Sequence, residues 1–402
     1  LAGTTFAERG NEMRERKKAV VVGGSNGIGL AISLEWLNRG YHVVVVDKVK
    51  PDSEALSSEQ DCTFFPCDLM YPDYDLFHTL SEDGSVESLM ITAGFGRVAD
   101  FQFLHQGEIQ KLLQVNAAAA IQVIRCFYHR VRGITPFFCG VMGSIAGWVS
   151  SPMFSVYAAS KAAVCRFVES VNCELEQAGT ANRILDVSPG SFSGSRFNGG
   201  ENKVEELAPL AKEIVEKLLE SCPLYIPRYE EVYRNVLARY HAAPHKFGME
   251  SYQYKLQSGR AKNERGAVIG YLSGTFDLFH IGHLNLIRRA KQHCDYLIVG
   301  VHPNAAHKGK TTFIPFEERM EIVGACRYVD KVVESCPEDS EAWERWHYDR
   351  LFVGSDYKGT PRFMRYEEFF SDKDVEIIYF PYTSETNSTQ IRKMIDEQRK
   401  KQ

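Results

Sequence analysis

Long apolar runs are missing from this 402-residue chain. None approaches the ~20 residues that a membrane-crossing helix requires, so no helical span is expected. The opening "LAGTTFAERGNEMRERKK" has no apolar signal-peptide core, which makes a cytoplasmic location the expectation. An excess of positive charge is missing too: 47 Lys and Arg stand against 52 Asp and Glu, a formal charge of -5. Without a basic field, nucleic acid and anionic membranes are excluded as expected partners, and small metabolites take their place. The ten cysteines form no CxxC pair and no Cys/His cluster at zinc spacing. They read as reduced packing thiols, with no metal site expected. Residues 1–16 read as an N-terminal extension; Leu1 is not a natural start, Met13 is a candidate one, and no function is read there.

What is present fits two domains. The length exceeds the ~100–200 residues of a usual single domain, and the 44% hydrophobic content can fill two cores. "KAVVVGG" (18–24) is a β-branched run ending in glycines, and "LAISLEWLNRG" has helical apolar spacing closed by Gly40. Between them "GGSNGIG", with Gly23, Ser25, Asn26, Gly27, Ile28 and Gly29, would turn tightly and aim helix N-terminal amides at a pyrophosphate. The next strand, "YHVVVVDK", ends in Asp47, eighteen residues after Gly29, where a carboxylate can hold a ribose diol. That pairing predicts a dinucleotide site. Because Asp47 would repel a 2′-phosphate, NAD(H) is favoured over NADP(H), although Lys48 beside it would offset the repulsion.

Further on, "VMGSIAGWVSSPMFSVYAASKAAV" places Ser144 after an apolar strand and Tyr157 and Lys161 four residues apart, on one helix face. Ketone reduction needs a proton donor at the oxygen, and a tyrosine serves near neutrality only if a cation stabilises its phenolate. Lys161 would supply that charge, and Ser144 would hold the carbonyl oxygen by a hydrogen bond.

The ordered set "GGSNGIG", Asp47, "CDL" with Asp68, "TAG", "VNAAA" with Asn116, Ser144, "YAASK" and "SPG" resembles the short-chain dehydrogenase/reductase family over residues 17 to about 200. The resemblance implies a catalytic tetrad of Asn116, Ser144, Tyr157 and Lys161. It also implies Asp68 near the adenine, and cofactor contacts from Ala93, Gly94, Pro189 and Gly190. Two departures touch cofactor support: the family's "NNAG" reads Ile91-Thr92-Ala93-Gly94, and the threonine usual after "PG" is displaced in "SPGSFSGSRF". The tyrosine-rich stretch that follows is expected to cover the substrate, with Arg228, Arg234 and Lys246 as candidates to clamp a phosphate. The boundary between domains 17–265 and 266–402 falls at "GRAKNERG", close to Arg265.

"AVIGYLSGTFDLFHIGHLNLIRRAKQHCDYLIVGV" then reads as strand, glycine turn, amphipathic helix, strand, so the fold class is α/β, two doubly wound parallel-sheet (Rossmann-like) domains in tandem. His280 and His283 fall where the helix begins and would face a bound phosphate. Together with "HKGKTTFIPFEERMEIV", "LFVGSDYKG" and "YTSETNSTQI", the segment resembles the HxGH nucleotidyltransferases, most of all the glycerol-3-phosphate cytidylyltransferase type. The resemblance implies CTP as substrate and Mg2+ with the triphosphate. His280, His283 and Lys308, with Lys310 as a further candidate, would stabilise the phosphates, with nucleotide contacts from Gly274, Thr275, Phe276, Asp356, Thr383, Ser388 and Thr389. One departure is that Tyr382 stands where the family has an arginine, and Arg392 is a candidate replacement. CTP rather than ATP therefore rests on overall similarity.

A reductase joined to a cytidylyltransferase implies that the alcohol made by one is the nucleophile of the other. The expected path runs from a ketose phosphate through an alditol phosphate to a CDP-alditol, with CDP-ribitol as leading product, for teichoic-acid-like or capsular polymers. Mannitol, arabinitol or glycerol analogues, reduction after transfer, or an adenylyltransferase with a non-catalytic reductase-like module stay open. Both resemblances imply self-association as a homodimer or homotetramer.

Overall fold

The computed structural model describes residues 16–51, 53–104, 106–191, 203–258, 268–304 and 311–381. The chain divides into two compact units, Leu1–Phe101 with Gln110–Lys262, and Gln102–Ile109 with Asn263–Gln402. Arg265, where the sequence places the boundary, lies outside the described residues.

The first unit is built on seven strands: β1 (Lys18–Val22), β2 (His42–Asp47), β3 (Cys62–Pro66), β4 (Val86–Ile91), β5 (Phe138–Met142), β6 (Ile184–Val187) and β7 (Leu224–Tyr225). Their order is β3-β2-β1-β4-β5-β6-β7, and every pairing among them is parallel. "KAVVV" and "HVVVVD" are continuous β-branched runs because both faces of the sheet are covered. Val20, Val22, Val44 and Val46 pack with Phe77, Val123, Val164 and Val168 on one side. Ala19, Val21, Val43 and Val45 pack with Trp36, Ala211 and Ile214 on the other. The result is a three-layer α/β domain. In the covering helix Val204–Leu219 the buried residues Leu207, Ala211, Ile214, Val215 and Leu218 follow helical spacing, so its charged composition is its solvated face.

The second unit repeats the plan on five strands: β8 (Ile269–Gly274), β9 (Tyr296–Val301), β10 (Lys331–Glu334), β11 (Arg350–Gly354) and β12 (Glu376–Phe380). The order is β10-β9-β8-β11-β12, all parallel. One face buries Tyr271, Tyr348, Phe363 and Phe370, the other Leu272, Ile287, Val299 and Phe352. Two doubly wound α/β domains in tandem is the fold class the strand and helix patterns predict. In each sheet the chain winds outward from its first strand and then returns to that strand's other side. The switch points are β1/β4 and β8/β11, where open α/β sheets place their ligand crevices. Among the described residues no helix is long and apolar enough to cross a membrane.

Candidate active sites

After β1 the backbone turns through Gly23 at φ +87° and Gly27 at φ +52° into the helix Gly27–Asn38. A side chain at Gly23 would meet the Ala93 backbone nitrogen at 2.5 Å, and one at Gly29 would meet the Gly23 carbonyl oxygen at 2.0 Å. Glycine is therefore a steric requirement here, because strand, turn and helix close on one another. The N-cap Asn26 makes no side-chain cap bond, and Ser25 Oγ is buried without a protein partner. These features fit a cradle for an anionic group at a helix start.

Thr92 gives the departure from "NNAG" a role that the sequence did not disclose. Its Oγ1 lies 3.1 Å from Val22 O and 3.0 Å from Gly23 O, so the hydroxyl donates to the glycine turn and ties the end of β4 to it. Asp47 closes β2, its Oδ2 accepting from Ser25 N at 3.0 Å and its Oδ1 from Lys48 N at 2.7 Å. Lys48 Nζ is engaged by Asp68 Oδ2 at 3.0 Å, and Asp68 Oδ1 accepts from Met70 N at 2.9 Å.

The structure brings Ser144, Tyr157 and Lys161 to the same crevice. Ser144 caps a short 3-10 turn, accepting from Ala146 N at 3.2 Å, and is hydrogen-bonded to Tyr157. Tyr157 and Lys161 lie on the helix Ser155–Gln177, both buried. Lys161 Nζ donates to Met142 O at 2.7 Å and sits 5.8 Å from the Tyr157 ring centroid. Gly147 lets the Ser144 turn close on this helix, since a side chain there would meet the Lys161 carbonyl carbon at 2.7 Å.

Burial sets the proton affinities of both Tyr157 and Lys161. Burial pushes the Tyr157 phenol up to about 12, with the Ser144 hydrogen bond opposing it. Burial also pulls Lys161 down to about 8, with Cys165 and Asp186 opposing. Desolvation thus outweighs the Ser144 hydrogen bond, and Tyr157 holds its proton across the neutral range.

Asn116 stands differently from the other three. It sits in a π-helical turn, Gln114–Ala118, donates from Nδ2 to Phe95 O at 2.8 Å and accepts at Oδ1 from Phe95 N at 3.0 Å. A third bond, from Nδ2 to Ser160 Oγ at 3.2 Å, anchors it to the Tyr157 helix. A side chain on Gly94 would come within 3.2 Å of Asn116 Oδ1 and 3.3 Å of Lys161 Nζ, so Asn116 braces the Gly94–Phe95 segment beside Lys161.

A cavity of about 680 Å³ joins these parts, within the range of small-molecule sites. It is lined by Gly23, Asn26, Gly27, Ile28, Gly29, Asp47, Asp68, Ala93, Gly94, Ser144, Tyr157, Lys161, Pro189 and Gly190; Asn116 and Ser25 stand outside the lining. Arg228, Arg234 and Lys246 do not line it. They are exposed and face Glu231, Glu230 and Glu250. The cation that does reach the cavity from this part of the chain is Lys255, on the helix Pro244–Gln257 with Phe247, Ser251 and Tyr254. Their helical spacing was the available signal.

In the second unit β8 runs into a loop where two non-glycine residues, Phe276 and Leu278, take φ +52° and +51°. Left-handed backbone costs such residues roughly 1–2 kcal/mol each, and it is held here by buried ties. Asp277 accepts from Phe313 N and Ile314 N, each at 3.0 Å. Arg319, 1% exposed, donates to the carbonyls of Ile314, Thr275, His302 and Pro303 at 2.6–3.0 Å. The sequence carried Arg319 inside "FEERM" without revealing this brace.

His280 is the N-cap of the helix Ile281–Gln292. Its Nδ1 accepts from Gly282 N at 3.1 Å, which puts the ring proton of the neutral imidazole on Nε2, a donor suited to a phosphate oxygen. Burial lowers His280 from its ordinary 6.5, favouring this neutral form. The His283 ring stacks on it at 4.0 Å and meets Phe276 edge-on at 5.3 Å. Asp356 follows β11 in a 3-10 turn, at the other side of the switch point, with Lys358 after it 5.4 Å from the Tyr379 ring. Lys308, Lys310, Tyr382, Thr383, Ser388, Thr389 and Arg392 lie outside the described residues. Among the described residues no three His, Cys, Asp or Glu side chains gather as a metal site.

Fold and sites together define two enzymatic modules in one chain, an oxidoreductase followed by a nucleotidyltransferase. Residues 17–205 match the short chain dehydrogenase family and residues 271–394 the cytidylyltransferase-like family. The glycerol-3-phosphate cytidylyltransferase of Bacillus subtilis is 33% identical over 131 residues, covering 30% of this chain and 92% of that protein. A probable ethanolamine-phosphate cytidylyltransferase of Encephalitozoon cuniculi is 43% identical over 81 residues, 19% of this chain and 25% of that one. A short-chain dehydrogenase structure from Streptomyces avermitilis aligns at TM-score 0.48 and 20% identity, covering 59% of this chain and 99% of that one. Through its second unit the chain belongs to the cytidylyltransferase-like family, and it carries a short-chain dehydrogenase domain ahead of it.

Proposed function

We propose that the two modules act in sequence on one carbon skeleton: a ketose phosphate is reduced to its alditol phosphate, which then takes CMP from CTP to give a CDP-alditol, with CDP-ribitol as leading product. The observation that carries this reading is one cavity joining the glycine cradle to buried Ser144, Tyr157 and Lys161, in a chain whose other unit is related to an enzyme that activates an alditol phosphate. The residues fit a nicotinamide dinucleotide: the cradle at Gly23 and Gly29 leaves no room for a Cβ, and Asp47 stands where a ribose diol would be held. When bound, the reduced cofactor supplies the hydride. Tyr157 donates its proton to the carbonyl oxygen, Ser144 holds that oxygen, and the Lys161 ammonium offsets the negative charge growing on the phenol oxygen.

In the second unit, a phosphate oxygen of the alditol phosphate attacks the α-phosphorus of CTP. The new P–O bond forms as the bond to the leaving pyrophosphate breaks. His280 Nε2 and His283 hold the phosphates in line, and the work is positioning and charge stabilisation. The divalent cation that accompanies a triphosphate belongs to that substrate.

NAD(H) is the favoured cofactor, because Asp47 opposes a 2′-phosphate and the nearby Lys48 is already engaged by Asp68. Asp47→Ser should therefore narrow the NADH-over-NADPH preference in kcat/KM by about 10-fold or more; an unchanged ratio would remove Asp47 from the account. The two-step reading is tested by offering a panel of ketose phosphates with NADH or NADPH, then CTP or ATP, while following nicotinamide oxidation and pyrophosphate release.

A further inference from the structure

Lys255 is a cation in an awkward place. It is half-buried on the cavity-facing side of the helix Pro244–Gln257, and its Nζ donates to two uncharged acceptors, Ser151 Oγ at 2.6 Å and Pro152 O at 2.7 Å. Among the described residues no carboxylate pairs with it, whereas Arg228, Arg234 and Lys246 on the same stretch each face a glutamate. Burial accordingly pulls it down to about 8, with no opposing charge. A desolvated ammonium without a counter-ion is costly unless something anionic arrives.

The position says where that anion would come from. Lys255 Nζ lies 5.9 Å from the Phe154 ring centroid, and Phe154 stacks on Tyr157 with centroids 4.1 Å apart and planes 19° from parallel. The ammonium thus stands one ring away from the proton donor, in the cavity that holds it. Its two bonds to Ser151 and Pro152 fix it to the segment leading into the Tyr157 helix, so its distance from the reacting carbonyl is set by rigid parts of the fold.

We infer that Lys255 is the anchor for the phosphate of the reductase substrate, making the site selective for a phosphorylated ketose over its dephosphorylated counterpart. The inference rests on the ketose-phosphate reading above and adds the residue that would measure the phosphate. Two of the ammonium's three donors are taken by Ser151 and Pro152, leaving one for a phosphate oxygen.

The test uses the full chain. Lys255→Gln should raise KM for the ketose phosphate about 10- to 100-fold, the range of one charge-assisted hydrogen bond, with a smaller fall in kcat, and should collapse the preference for the phosphorylated ketose. Lys255→Arg should recover most of that preference, and Lys246→Gln should change neither quantity. Independently of turnover, saturating inorganic phosphate should slow acetylation of Lys255, read peptide by peptide by mass spectrometry so that the nucleotidyl site does not contribute. A Lys255→Gln enzyme that keeps the preference, or a Lys255 labelling rate indifferent to phosphate, overturns the anchor. If phosphate protects Lys255 while no ketose phosphate is reduced, the anchor stands and the ketose-phosphate reading falls.

Discussion

Counted from its own first strand, each unit winds in the order 3-2-1-4-5, the first continuing to 6 and 7, and each sets its candidate site where the order reverses. The contents of the two crevices differ. At β1/β4 the chain spends glycines to bring backbone close and buries a tyrosine and a lysine whose proton affinities move toward or away from neutrality by burial. At β8/β11, among the described residues, it accepts strained backbone at Phe276 and Leu278, holds it with Asp277 and Arg319, and presents imidazole donors at a helix start. The difference follows the chemistry. Moving a proton needs a group whose pKa is adjusted, whereas displacing pyrophosphate needs donors held in place.

If that contrast is right, the two activities separate by mutation. Tyr157→Phe should cut ketone reduction by ~10³-fold or more and leave pyrophosphate release within about two-fold, while His283→Ala should do the reverse. Loss of both activities from either change would point to a shared folding defect and break the comparison. Gly29→Val, whose Cβ would sit 2.0 Å from the Gly23 carbonyl oxygen, should weaken nicotinamide binding by roughly 100-fold with cytidylyl transfer intact, as checked by fluorescence titration. Arg319→Met removes the donor to four carbonyls. It should lower the stability of the second unit by about 3 kcal/mol and slow transfer, with the reductase unaffected, as checked by denaturation alongside both assays.

The smallest effect is in pH. Lys161 loses its charge near 8, so reductase kcat/KM should fall about 5-fold between pH 8 and 9 as the ammonium that supports the phenolate is titrated away. Transfer should stay flat above pH 6.5, where His280, lowered from its ordinary value, remains neutral, and decline only on the acid side when protonation takes Nδ1 from the Gly282 amide. Parallel profiles would contradict the contrast.

Much of this was legible in the residues. Continuous valine runs announced sheets covered on both faces, and "GGSNGIG" and "HIGH" marked the two crevices, because turns and helix starts are local. The features that depend on tertiary contact were hidden. Thr92 reads as a family mismatch until its hydroxyl is seen bridging β4 to the glycine turn. Arg319 reads as one charge in an acidic helix start until its four carbonyls converge. Arg228, Arg234 and Lys246 read as candidate clamps by charge, yet charge alone does not tell a solvated ion pair from a cavity wall; of these four cations Lys255, with Phe247 and Ser251 at helical spacing, is the one the fold turns inward. The Tyr-Lys spacing revealed the partnership but not its electrostatic balance, since burial depends on everything packed around the pair.

The central claim, that one unit makes the other's nucleophile, is tested most directly in a single vessel holding the full chain, a ketose phosphate, NADH and CTP. The account predicts NADH oxidation accompanied by stoichiometric pyrophosphate release, with CTP alone giving none until the ketose phosphate is reduced. If no ketose phosphate oxidises NADH or NADPH while preformed alditol phosphates still release pyrophosphate from CTP, the coupled account is contradicted.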